Sequence, residues 1–287
     1  MWFQEKKPGQ QTSPRFLRRA RRIGASKTQG TRRGFYLFPN LVTSGSLLLG
    51  FYAITKSFQG DFLKASWAIF AATFLDGLDG KIARLTNSAS PFGAQYDSLS
   101  DLVTFGVAPG LIIFNFALAH SVSPRLGWTV AFLYVVCGAL RLARYNIRPT
   151  SSKRYFEGFP IPAAANVMIF SVIFSVHMGL VRDDRTISSI PNLILLLTLF
   201  VAGLMVSTFP YYGFKDVDMF RRHKFGTLVF FVGLLVFIFQ EPETMLYLLI
   251  MAYAISGPIV WYVTRQSGTP EPPAAPPAPA PEAAPAP

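Results

Sequence analysis

The sequence predicts an all-α, polytopic membrane bundle of about eight transmembrane helices, and three observations carry that expectation. First, 51% of its 287 residues are hydrophobic, 27 of them Phe, and the mean hydropathy is +0.35. A chain of one or two domains with that composition is too apolar for a water-soluble globule. Second, apolar runs long enough to cross a hydrocarbon core of about 20 helical residues recur along the chain. They cover approximately 36–57, 63–82, 95–119, 127–146, 160–180, 190–211, 225–240 and 244–263. Third, with a cytoplasmic N-terminus, 22 of the 27 Lys and Arg fall on the cytoplasmic side of those runs. Only Lys56, Lys64, Arg125, Arg182 and Arg185 fall outside, an asymmetry that predicts both termini in the cytoplasm.

Residues 1–34 hold ten Lys or Arg against the single acid Glu5, with no apolar stretch that would serve as a signal peptide. This basic cytoplasmic segment contains R-F-L-R-R-A-R-R, which suits a short helix on anionic headgroups as well as it suits a disordered tail. The net charge of +12 is distributed by membrane side rather than gathered on a soluble module, which excludes a nucleic-acid partner. The first span opens F-P-N-L-V-T, where Pro39 fits a helix start and Asn40 or Thr43 a cap or a contact with a neighbouring helix.

The end of the second span and the start of the third carry the candidate chemistry. Asp76, Asp79, Gly80 and Ala83 fall at i, i+3, i+4 and i+7, and Gly93, Asp97 and Asp101 at i, i+4 and i+8. On two helices joined by a short turn, these spacings aim four carboxylates into one space. Of the fifteen acids in the chain, only these four fall within or against apolar spans. Four such charges are severely unfavourable unless they take up protons or hold cations. An oxygen-only donor set favours magnesium or manganese.

The remaining spans hold fewer polar groups. Cys137, the one cysteine, sits in the apolar fourth span as packing, which excludes a disulfide framework and a thiol metal site. His120 and His177 stand near the outer ends of spans and read as interfacial. Arg141 and Arg144 lie at i, i+3 on the cytoplasmic end of span four, where each needs an anion or snorkels to lipid phosphate. After span six, Asp216 and Asp218 read as solvated loop acids, and the adjacent His223 and Lys224 do not make an H-x-K element with its histidine nucleophile. Residues 266–287 have the composition of an extended, disordered Pro/Ala-rich tail.

The pattern D-x-x-D-G-x-x-A-R, eight residues, G-x-x-x-D-x-x-x-D resembles the signature of the CDP-alcohol phosphotransferases. All eight fixed positions match, at Asp76, Asp79, Gly80, Ala83, Arg84, Gly93, Asp97 and Asp101. The F-P-N-L-V-T opening is similar to one that many members carry. R-L-A-R-Y-N followed by F-E-G-F-P-I-P-A-A-A resembles the phosphatidylserine synthase branch. The resemblance implies transfer of a phosphatidyl group from CDP-diacylglycerol to the hydroxyl of L-serine with release of CMP, at a site holding two divalent ions, Mg2+ or Mn2+. It implies Asp76, Asp79, Asp97 and Asp101 as metal ligands, with Asp101 also taking the hydroxyl proton as the catalytic base. It assigns Asp76, Gly80, Ala83, Arg84 and Gly93 to the CDP moiety, and Arg141, Arg144 and Asn146 to the acceptor or a lipid phosphate. It also implies a homodimer of six-helix cores among membrane lipids, so that a domain over 35–265 would carry two additional spans. Glycerol 3-phosphate or inositol phosphate as acceptor stays open, because arginines fit a phosphate equally well. A non-catalytic cation transporter would need midplane acids and broken helices in both halves, whereas here the acids sit in one half only.

Overall fold

The computed structural model describes residues 37–85, 90–120, 123–147, 155–182, 185–186, 190–212, 232–233 and 235–266. Among these the chain is all-α. The helices are α1 (Leu37–Phe58), α2 (Phe62–Leu85), α3 (Pro91–Asp101), α4 (Ala108–Phe116), α5 (Pro124–Ile147), α6 (Ile161–His177), α7 (Ile190–Val206) and α8 (Pro242–Gln266). A π-helical turn over Leu102–Val107 joins α3 to α4 without a break, and a 3-10 turn over Leu118–His120 comes after α4. Two short antiparallel pairings tie loops together: β1 (Tyr155–Glu157) with β4 (Pro210–Tyr212), and β2 (Val181–Arg182) with β3 (Arg185–Thr186).

Seven of the eight expected spans fall on helices. The third begins at Pro91 rather than 95, because Ser90 caps it by accepting from the Gly93 N–H at 3.0 Å and proline suits the first turn. Among the described residues, three helical stretches are long and apolar enough to cross a membrane: Pro91–His120, Pro124–Ile147 and Pro242–Arg265. In α2 the charges of the signature interrupt the apolar run, and α6 and α7 are shorter at 17 residues each. Residues 232–233 and 235–240 of the expected seventh span are helical, and its remainder lies outside the described residues. So do the basic segment 1–34, the loop holding Asp216, Asp218, His223 and Lys224, and the tail from 267.

The core centres on α6, buried along most of its length. Small residues at Ala65, Ala68 and Ala72 of α2 and Ala53 of α1 are buried, which lets these helices approach closely. Phe70 packs edge-on against Phe170, with ring centres 5.1 Å apart, and joins α2 to α6. Cys137 is buried and unpaired, as a packing residue would be. Outward-facing Leu48, Phe51, Phe132, Leu193 and Phe237 are exposed, which suits contact with lipid rather than water.

Helix α8 closes the bundle over α6 and β4. Tyr211 donates its hydroxyl to the Ala254 carbonyl at 2.9 Å, and its ring packs against those of Phe159 and Tyr253 with centres 5.2 and 5.6 Å away. Gly257 lies directly over the Tyr211 ring, in a space that any side chain would overlap. At the other end of α8, His177 stands between Glu241 at 3.1 Å and Glu243 at 3.3 Å, consistent with an exposed place at a helix terminus.

Candidate active site

The spacing read from the sequence becomes a convergence of side chains. Asp76 and Asp79 stand on the C-terminal half of α2, and Asp97 and Asp101 on the last two turns of α3. Carboxylate oxygens of Asp76, Asp97 and Asp101 lie within 4.8 Å of one another, and those of Asp76 and Asp101 are in hydrogen-bond contact. Carboxylates so close repel unless a proton or a cation lies between them. Asp79 is 5% exposed and accepts a 2.8 Å hydrogen bond from Thr43, while remaining within electrostatic reach of the other three. A buried oxygen of Asp97, Oδ1, has no donor among the described residues. Three converging acids, one with an orphaned lone pair, form an all-oxygen donor set that fits a hard divalent cation.

Helix α1 holds this arrangement in register through hydroxyls. Thr43 contributes its side chain to Asp79 and its carbonyl to Ser100, which donates at 3.3 Å. One turn on, the Ser46 carbonyl accepts from Thr104 at 3.4 Å. Each bond crosses from α1 to a segment bearing or adjoining the acids, so α1 aligns both carboxylate pairs at once.

The residues expected to face a nucleotide are distributed differently. A Cβ built at Gly80 would meet no atom within 4 Å, so the surface there is open to a ligand. At Gly93 a Cβ would come within 3.2 Å of Ser90 Oγ and 3.4 Å of Asn40 Oδ1, so its small size also serves the packing of α3 against the start of α1. Ala83 and Arg84 lie in the last turn of α2, and their side chains fall outside the described residues.

The structure separates the two arginines that the sequence treats alike. Arg141 is 9% exposed, its Nε has no acceptor among the described residues, and its electrostatic neighbours are Tyr145, Tyr253, Asp101 and Arg144. Arg144 instead donates to the carbonyls of Val206 at 2.9 Å and Ser207 at 3.4 Å, capping the end of α7. Asn146 is exposed and donates to Ser98 at 3.1 Å, which joins the end of α5 to the signature helix beside Asp97.

Sequence reasoning did not single out Ser98, Ser100 or Tyr253. Hydroxyls on apolar helices give little signal, because a serine bonded across a helix interface has the same local pattern as one bonded to its own turn. Tyr253 lies far along the chain in α8, and only the docking of that helix brings it near Arg141.

The CDP-alcohol phosphatidyltransferase family model matches residues 36–204, which include α1 to α7 up to the last turn. A CDP-diacylglycerol–serine O-phosphatidyltransferase of Helicobacter pylori (strain ATCC 700392 / 26695) is 38% identical over 227 residues, covering 79% of this chain and 91% of the relative. An enzyme of the same name from Methanocaldococcus jannaschii is 33% identical over 196 residues, 68% of this chain and 82% of the relative. Another from Bacillus subtilis (strain 168) is 38% identical over 131 residues, 46% of this chain and 72% of the relative. The converging carboxylates, the membrane bundle and these matches together show that the chain belongs to the CDP-alcohol phosphatidyltransferase family, transferases of phospholipid synthesis.

Proposed function

We propose that the protein transfers a phosphatidyl group from CDP-diacylglycerol to the hydroxyl of L-serine, yielding phosphatidylserine and CMP. The carrying observation is the buried Arg141, whose Nε has no acceptor among the described residues, within electrostatic reach of Asp101 in the convergence with Asp76 and Asp97. A guanidinium in that place suits the serine carboxylate, which it can meet with paired hydrogen bonds. The names of the relatives support serine over other acceptors.

Asp76, Asp97 and Asp101, with Asp79, would hold the cations. When bound, two divalent cations neutralise the diphosphate and the charge that develops on the departing CMP. Arg141 holds the serine carboxylate so that the hydroxyl faces Asp101, which is near both the arginine and the other acids. Asp101 accepts the hydroxyl proton as the serine oxygen forms a bond to the phosphorus carrying the lipid, and the bond from that phosphorus to CMP breaks. Thr43 keeps Asp79 oriented throughout. The open surface at Gly80 leaves room for the nucleotide, with Gly93, Ala83 and Arg84 on the same two helices.

In this reading the protein works in the cytoplasmic membrane with both termini and the site on the cytoplasmic side, supported by the 22 of 27 basic residues assigned there. The homodimer belongs to the same reading and is supported by the family resemblance. The test is to incubate the purified protein with CDP-diacylglycerol and Mn2+ or Mg2+, then offer serine, glycerol 3-phosphate and inositol phosphate in separate reactions and identify the lipid by mass spectrometry. Phosphatidylserine and CMP should appear with serine alone. Product from a phosphorylated acceptor instead would reassign Arg141 to that phosphate. Exhaustive chelation should abolish transfer and added Mn2+ restore it; undiminished transfer after chelation would remove the cation from the mechanism.

A further inference from the structure

The third span runs through the bundle as one continuous helical rod although Pro109 lies inside it. Proline has no N–H, so the carbonyl four residues earlier, that of Phe105, loses its helical donor. One feature adjoins that carbonyl and a second supplies its donor. The backbone widens into the π turn over Leu102–Val107, with the Ala108 N–H reaching back five residues to the Val103 carbonyl. From α5, the fully buried Tyr134 donates its hydroxyl to the Phe105 carbonyl at 2.9 Å. A buried tyrosine hydroxyl needs a partner and a buried carbonyl needs a donor, and each supplies the other here.

The position of this turn matters because Asp101 is the residue at which it begins. A π turn is equivalent to one residue inserted in an α-helix, so it rotates the segment before it by about 100° relative to the segment after it. On its C-terminal side lies α4, fixed in the core by Ala108, Ile112, Ile113 and Phe116, all buried. On its N-terminal side lies α3, with Asp97 and Asp101. Because α4 is held by its packing, the turn decides the face to which the two carboxylates point. Helix α1 braces the turn from the other side, where Gly50 packs so closely that a Cβ would come within 2.9 Å of Thr104 Cα.

We propose that Tyr134 is a positioning residue for the catalytic carboxylates: its hydroxyl, by taking the carbonyl that Pro109 orphans, locks the π turn that points Asp97 and Asp101 toward Asp76. The proposal rests on the reading of these aspartates as cation ligands.

The test compares Tyr134→Phe, Pro109→Ala, the double variant and Asp101→Asn, each purified in lipid nanodiscs. Mn2+ affinity is read by electron paramagnetic resonance, alongside kcat, the KM for serine and the thermal midpoint. Tyr134→Phe should weaken Mn2+ binding and lower kcat, each by about tenfold or more, with the serine KM within about twofold of wild type. In the double variant Pro109→Ala restores a backbone N–H for the Phe105 carbonyl, so the midpoint should recover while Mn2+ affinity and kcat stay low, because the segment is then free to relax into the α register. Recovery of all three together would overturn the proposal, since Tyr134 would then only satisfy a carbonyl. Wild-type Mn2+ affinity and kcat in Tyr134→Phe would overturn it equally. So would failure of the double variant to fold, because the pairing of Tyr134 with Pro109 would then be wrong. Asp101→Asn separates the two levels. If it keeps wild-type metal binding and turnover, the reading of Asp101 falls and the positioning proposal with it. If it loses both while Tyr134→Phe loses neither, only the positioning proposal falls.

Discussion

Arg141 and Arg144 lie one helical turn apart, yet their surroundings give them different tasks. Arg144 has two carbonyl acceptors at the end of α7, whereas the buried Nε of Arg141 has none among the described residues and its guanidinium is within electrostatic reach of Asp101. Arg141→Ala should therefore remove a charge-assisted contact of about 1.5 to 3 kcal/mol and raise the serine KM roughly 10- to 150-fold. Binding of CDP-diacylglycerol should change little. Arg144→Ala should leave the serine KM near wild type and lower the thermal midpoint, since it strips caps from α7. Initial rates across a serine titration, with melting of each variant, separate the two. A serine KM that rises for Arg144→Ala and not for Arg141→Ala would exchange their roles. The sequence could not have made this distinction. The i, i+3 spacing puts both arginines on one face, and the acceptors at Val206 and Ser207 come from more than sixty residues away.

The helices that bear the acids were legible because their signal is local. Two aspartates three apart on α2 and two aspartates four apart on α3 need only helical periodicity to share a space. The π turn was not legible for the opposite reason. Pro109 marks a defect in the third span, but whether the helix kinks, ends or widens depends on Tyr134, 29 residues beyond Phe105. The docking of α8 was hidden in the same way, being set by Gly257 against Tyr211 rather than by any periodic pattern. That contact yields a prediction for the element as a whole. Tyr211 is buried and pinned by the Ala254 carbonyl, so its ring has little freedom to yield to a new side chain. Gly257→Val should destabilise the protein by about 1 to 3 kcal/mol through overpacking. It should also raise the serine KM, because Tyr253 would shift away from Arg141 as α8 lifts. A variant with a lowered melting temperature and an unchanged serine KM would confine α8 to a structural role.

At the scale of the molecule, the arrangement depends on which side of the membrane the acids face. The substrate's two halves have opposite demands: the diacyl chains stay in the bilayer, while the CDP group and serine are polar and come from water. A site near one end of α2 and α3, with Asp79 buried and Gly80 open, meets both demands only if that end faces the compartment supplying nucleotide. The basic residues at that end, Lys81 and Arg84 in the last turns of α2 and Arg148, Lys153 and Arg154 after α5, support the cytoplasmic placement proposed for it. In the proposed topology, with an even number of spans, both termini lie on that side too. Cysteines introduced singly at Gln11 and Ser267, in a Cys137→Ala background, should resist membrane-impermeant thiol reagents in intact cells and react after permeabilisation. Cysteines placed at Gln59 and at Ser123, in the connections on the opposite side, should react without it. Gln59 comes directly after α1 and Ser123 precedes α5, so their labelling reports the far ends of helices that carry or brace the acids. Labelling of either terminal position in intact cells would place the termini outside. If the Gln59 cysteine were at the same time protected, the whole bundle would be inverted and the carboxylates would face a compartment without CDP-lipid chemistry.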